Sequence, residues 1–189
     1  MGLFGWLKGS VSDGNGLITW RREWGEAVAS PNPAALERLR RALRVQPPLS
    51  VDVEIEEEML DGLERLVALT DDLAGGRLPK LETTHRIVGT DACHFSAPVS
   101  MPDDVAQPTG RLLLTGTRAV FAGGARPTTL AWHAAAEVLR VDRDVLLIRS
   151  DRETAYRFRC NNYGDALIAA AIARHLAARA RGMARSRTL

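Results

Sequence analysis

The sequence predicts an α+β protein: a helical N-terminal segment over residues 1–80, then a small antiparallel sheet closed by one helix over residues 81–189. Three observations predict it. Leu17, Trp20, Trp24 and Val28 recur at helical spacing, and two more helical periods follow before Gly75-Gly76. Gly110 to Gly124 holds two apolar runs, 112–114 and 119–122, around a tight Thr115-Gly116-Thr117 connection, which is a hairpin signal. An Ala-rich stretch near the C-terminus keeps one apolar face.

Each element has its own signal. Ser10 to Gly16 reads as a turn-rich linker after the apolar opening, so the first helix is expected over 17–29. Ser30-Pro-Asn-Pro33 ends it. Asn32 can N-cap a second helix, with Pro33 at its first position and Leu36, Leu39 and Leu43 inward. Gln46-Pro-Pro48 stops that helix near Val45. Val51, Ile55, Met59, Leu63, Leu66 and Leu73 mark a third helix. Its start also alternates like a strand, but the helical period persists well beyond Ile55. The acidic run Glu54 to Glu58 suits a solvated helix start, where the dipole favours negative charge. Strands are expected at 84–88, 93–99, 111–114, 119–122, 128–132, 138–141, 145–149 and 156–160, with Gly, Pro or Asp in the connections. A short helical turn is expected near Trp132 to Ala136. Asn161-Asn162 caps a last helix over 163–181, and residues 182–189 read as frayed.

Composition sets limits. A chain of 189 residues with 46% hydrophobic content can bury a core. Its 25 basic and 23 acidic residues give a net charge of +2, too balanced to demand a polyanionic partner. The charge is uneven: residues 1–80 hold 10 basic and 13 acidic, and residues 81–189 hold 15 and 10. All basic residues of the second part are Arg, a bias that a GC-rich genome alone produces. Two cysteines, Cys93 and Cys160, make no disulfide framework and suggest a reducing compartment. No run reaches the roughly 18 apolar residues of a membrane span, and the opening patch is too short for a signal-peptide core. The expected location is the cytoplasm, with peripheral attachment at the inner membrane face as an option.

The run Gly110-Arg-Leu-Leu-Leu-Thr-Gly-Thr-Arg-Ala-Val-Phe-Ala-Gly-Gly124 resembles the central hairpin of bacterial PH-like and GRAM-like domains, with Thr115, Arg118 and Phe121 as its best markers. Residues 127–132, 137–141, 144–149 and 156–160 look like the strands that follow, and 165–178 like the closing helix. The glutamate that relatives often carry near Cys93-His-Phe95 is absent, and residues 1–80 lie outside the resemblance. It implies a PH-like bent antiparallel sheet or barrel with one end plugged by a helix. Relatives of that fold bind lipid headgroups, peptides or partner proteins. Fold does not fix function.

Motifs for chemistry are scarce. Neighbours on a strand point to opposite faces, so Cys93 and His94 cannot share a metal from a regular strand. His133 and Glu137 lack the second His of a zincin. No nucleophile elbow, P-loop or dinucleotide fingerprint occurs. No catalytic residue, metal site or cofactor is therefore expected; a thiol enzyme using Cys93 or Cys160 is the least favoured reading.

The favoured reading is a non-catalytic adaptor whose PH-like domain holds a protein partner. Its sheet or helix face is expected to hold the partner; Trp20 and Trp24 are expected to pack the helical segment against the sheet, and are the next interface candidates. The alternative is an anionic-lipid module with Arg118, Arg126, Arg140 and Arg149 on the headgroups. Leu3, Phe4, Trp6 and Leu7 could add membrane or partner contact. Burial of each yields roughly 1.5–3 kcal/mol, offset by about 1–2 kcal/mol per ordered residue, so the patch cannot anchor the chain alone. Arg174, Arg179, Arg181, Arg185 and Arg187 read as a basic tail. Few exposed aromatics accompany these arginines, which disfavours nucleic acid, and nothing points to a small-molecule substrate.

Overall fold

The computed structural model of the chain describes residues 12–45, 52–83, 85–104, 109–123, 126–151 and 153–186. Leu3, Phe4, Trp6 and Leu7 lie outside the described residues. The chain divides into two compact units, Met1–Ala68 and Leu69–Leu189.

The first unit is helical. Helix α1 runs Ser12–Ala29, α2 Pro33–Arg44, and α3 Glu54–Ala74, its residues from Leu69 on counting with the second unit. Asn32 N-caps α2 through its side-chain oxygen, which accepts from the Ala35 N–H at 2.8 Å. Helix α1 starts earlier than expected and takes in Gly14 and Gly16. Each helical glycine costs about 1 kcal/mol, a penalty outweighed by what α1 anchors. Trp20 and Trp24 are buried. Their indole N–H groups donate to Leu39 O at 3.0 Å and Met59 O at 2.8 Å, tying α1 to α2 and α3.

The acidic start of α3 is not all solvated. Glu56 is 0% exposed. Its Oε1 accepts from Arg21 Nε at 2.6 Å and lies 2.5 Å from Nη2. A buried carboxylate needs such a partner, because desolvation disfavours its charge.

The second unit carries a seven-stranded antiparallel sheet: β1 (Cys93–Ser100), β2 (Thr109–Thr115), β3 (Arg118–Ala122), β4 (Thr128–Ala131), β5 (Ala135–Val141), β6 (Asp144–Arg149) and β7 (Ala155–Cys160). The order is β4-β3-β2-β1-β7-β6-β5. Strands β4 and β5 are thus opposite edges, yet only the 3-10 turn Trp132–Ala134 separates them in sequence. Four Cα steps span at most about 14 Å. Seven strands laid flat would part the edges by about 29 Å. The sheet must therefore curl, and it does so without β4 and β5 pairing. Trp132 is the corner: its indole donates to Thr115 O at 2.8 Å and its backbone N–H to Thr117 O at 3.1 Å.

Helix α4 (Tyr163–Ser186) follows β7 and packs on β1, β2, β5, β6 and β7. Asn162 Oδ1 caps it by accepting from the Asp165 N–H at 2.7 Å. This is the α+β, PH-like arrangement of a bent sheet closed by a helix. The helix continues to Ser186, so residues 182–186 extend it rather than fray.

A strand was expected at 84–88. Arg86–Val88 instead forms a 3-10 turn, stopped by Gly89 at φ +63°. Ahead of it Leu81 bridges Cys93, and Val88 packs with Cys93, Leu113 and Val120 on the convex side of the sheet.

Phe121 explains two glycines of the hairpin pattern. A Cβ on Gly110 would lie 2.6 Å from the Phe121 ring, and one on Gly123 2.5 Å from it. A Cβ on Gly110 would also lie 2.7 Å from Ala122 O, so Gly110→Ala is expected to lower stability by about 1–3 kcal/mol through overpacking, read as a lower urea midpoint at unchanged m-value; an unchanged midpoint would show that ring and backbone both give way freely.

Candidate functional site

The arginines expected to form one basic site do not converge. Arg118 opens β3 opposite Ala131, and Arg126 lies beyond the other end of the β3–β4 ladder. Arg140 faces Val145 near the β5–β6 turn, while Arg149 faces Ala135 at the far end of that ladder. Four steps of β6 separate the two, about 13 Å at about 3.3 Å per residue. Arg118 also has a structural role. Its Nη2 donates to Ile87 O at 3.2 Å, and its backbone N–H and C=O both bond the Thr115 hydroxyl. Asp91 completes this knot by accepting from the Thr117 N–H at 3.2 Å and hydroxyl at 2.6 Å. Burial pushes the Asp91 carboxyl up, but hydrogen bonds from Thr115 and Thr117 outweigh that and hold it below the usual range. Trp20 and Trp24 are likewise absorbed, into the core of the helical unit.

Strand register builds a different surface. Residues paired across an antiparallel ladder share a face. Three rows therefore stand on the convex face of β5–β6–β7: Val141, Asp144 and Arg159; Leu139, Leu146 and Arg157; Glu137, Ile148 and Ala155. The alternate residues Val138, Val145, Leu147 and Phe158 are buried beneath. Leu139 is 36% and Val141 61% exposed, and Leu146 and Ile148 beside them are half-buried. The result is an apolar strip with an arginine border.

Asp144 joins strip to border and is itself buried. Its Oδ2 accepts from Arg157 Nε at 2.7 Å and Arg159 Nη2 at 3.0 Å, and its Oδ1 from Arg159 Nε at 2.8 Å. The Arg159 hydrogen bond, then that of Arg157, holds the carboxyl below its usual range against the cost of burial.

The thiols are unsuited to attack. Cys93 and Cys160 are buried and unbridged. Burial pushes the Cys160 thiol up to about 12 and also raises that of Cys93, which donates to Phe95 O at 3.2 Å. The thiolate is the nucleophile, so neither sulfur is activated at neutral pH. Cys93 and His94 are both buried where the β1–β2 register shifts, and His94 Nδ1 lies 2.6 Å from Pro79 O. Among the described residues no three His, Cys, Asp or Glu side chains gather as a metal site requires.

No family model matches the sequence. No curated protein matches it either. Among solved structures, the chain is similar to the crystal structure of the FERM and C-terminal domain complex of Drosophila Merlin, at 11% identity and a TM-score of 0.42, over 93% of this chain and 60% of that one. The chain thus spans less than two thirds of that protein's length, and a likeness this distant carries no functional argument. No helix among the described residues is long and apolar enough to cross a membrane.

Two predictions follow from the site geometry. The folded Asp144 carboxyl titrates below its unfolded value of about 3.9, so the folded chain binds fewer protons between the two values. Its stabilisation is complete above about pH 4 and is lost as pH falls through the folded value. Asp144→Asn is expected to lower the urea midpoint at pH 7 and to lessen its decline below about pH 4, with Asp91 contributing to the decline that is left. Both cysteines are expected to react with a thiol reagent only as fast as the chain unfolds; fast labelling of either at pH 7 would contradict their burial.

Proposed function

We propose that this chain is a non-catalytic binding protein whose PH-like unit holds a protein partner on the convex face of β5–β6–β7. The observation that carries the reading is the exposure of Leu139 and Val141 beside Leu146 and Ile148, bordered by Arg157 and Arg159. An apolar centre with a polar rim is the anatomy of a protein interface. The border fits too: the Arg159 side chain is 53% exposed while held by Asp144, so its guanidinium is oriented before any partner arrives. The Thr115, Arg118 and Phe121 pattern supports a place among bacterial PH-like and GRAM-like domains. The buried, protonated thiols support the absence of a thiol enzyme. The anionic-lipid alternative draws less support, because its four arginines occupy opposite ends of two ladders.

Val141→Glu tests this reading. Val141 is exposed on an edge strand, so the folded unit should melt as the parent does. A partner captured from the native host by the parent chain is expected to be lost from the variant. Equal capture by a folded variant would refute the assignment of this face.

A further inference from the structure

We infer that the seam between β5 and α4 is a second binding site, one that takes an acidic segment of a protein partner. It rests on the reading of the chain as a protein-binding module, but uses a different surface.

Four arginines follow this seam and donate to backbone carbonyls. Arg181 Nη1 reaches Ala135 O at 3.2 Å and Ala136 O at 3.1 Å. Arg174 Nε reaches Val138 O at 3.1 Å. Arg140 Nη1 reaches Asp142 O at 2.6 Å, and Arg143 Nη1 reaches Asn161 O at 3.2 Å with its guanidinium 4.8 Å from the centre of the Tyr163 ring. A carbonyl orients a guanidinium but carries no net charge to neutralise it. Neither Arg174 nor Arg181 has a carboxylate within ion-pair distance among the described residues, and both are exposed. Arg140 is half-buried beside Arg174. Burial, and then the like charge of Arg174, holds its guanidinium below the ordinary range. Asp142 offsets part of this at Arg140, whereas the exposed Arg174 and Arg181 have no such counter-charge among the described residues, and an incoming carboxylate would supply it.

The shape of the cluster selects the ligand. Arg174 and Arg181 stand two helical turns apart, about 10.5 Å, on one side of α4. A single small anion cannot touch both. An extended chain advances about 3.3 Å per residue, so a short acidic segment presents carboxylates over that span. The edge carbonyls Ala135 O, Ala136 O and Val138 O are already engaged by the arginines, so the ligand is held by side-chain charge and not by adding a strand. The guanidinia are pre-oriented by their carbonyls, which lowers the ordering cost of binding.

Fluorescence anisotropy on the full chain tests this with three probes: labelled oligoglutamate, labelled oligoglutamine, and free inorganic phosphate as competitor. Phosphatidylserine vesicles are assayed by sedimentation. Oligoglutamate is expected to bind at low salt and weaken as salt rises, oligoglutamine not to bind, and phosphate to compete only weakly. Arg174→Gln with Arg181→Gln should weaken oligoglutamate at least about tenfold. Arg174→Lys, which keeps the charge and alters the carbonyl contact, should retain most of the binding and so separates charge from docking of α4. Failure of oligoglutamate to bind, equal binding by the double Gln variant, or preferential sedimentation with vesicles would overturn the inference. Val141→Glu leaves these arginines in place, so loss of the partner there with oligoglutamate binding intact, or the reverse, tells which of the two surfaces fails.

Discussion

The second unit depends on a geometric constraint: its two edge strands are joined by three residues. A connection so short forbids a flat sheet, and Trp132 turns the prohibition into a defined corner. Its indole and its backbone N–H bond two carbonyls of the β2–β3 turn, Thr115 O and Thr117 O. The same turn is closed by the Thr115 hydroxyl and braced by Asp91. Curl, turn and convex-side brace are therefore one connected set of hydrogen bonds. Helix α4 can fill the inside of the curl because that corner fixes how far apart the edges stand.

The two halves of the convex face meet different fates. Over β1–β3 the chain returns on itself, and Ile87 and Val88 cover Leu113 and Val120. Over β5–β7 Leu139 and Val141 stay exposed, and polarity is supplied by arginines folded back onto Asp144. Covering one half makes it core. Leaving the other half open, with its charges already arranged, makes it a surface on which an approaching molecule has little left to reorganise.

Much of the fold was legible in local signals. Asn32-Pro33 announces α2, and the Gly110 to Gly123 hairpin and the Asn162 cap fall where their chemistry places them. What escaped was set by partners distant in sequence. Glu56 looked like one of four solvated acids because Arg21, which allows its burial, lies 35 residues away. The glycines before Leu17 read as a linker because the penalty of a helical glycine is local, whereas the Trp20 and Trp24 bonds that outweigh it are not. Residues 84–88 were expected as a strand, but Val88 is buried, and Ile87 partly so, by lying on the sheet, with a positive-φ Gly89 ending the turn. The candidate surfaces were the hardest to see. Alternation shows that Leu139 and Val141 share a face, but only register sets Leu146, Arg157 and Arg159 beside them. The seven-residue interval from Arg174 to Arg181 was visible, yet nothing local shows that those side chains reach the carbonyls of β5 rather than trail into solvent.

Unpaired strand edges invite neighbouring molecules to stack on them. Strand β5 would be such a template, being long for an edge and apolar at Leu139 and Val141. The guanidinia of Arg174 and Arg181 engage its Ala135, Ala136 and Val138 carbonyls and set positive charge along the rim. Two such rims repel when brought together, so α4 doubles as a guard against fibre growth from that side of the molecule.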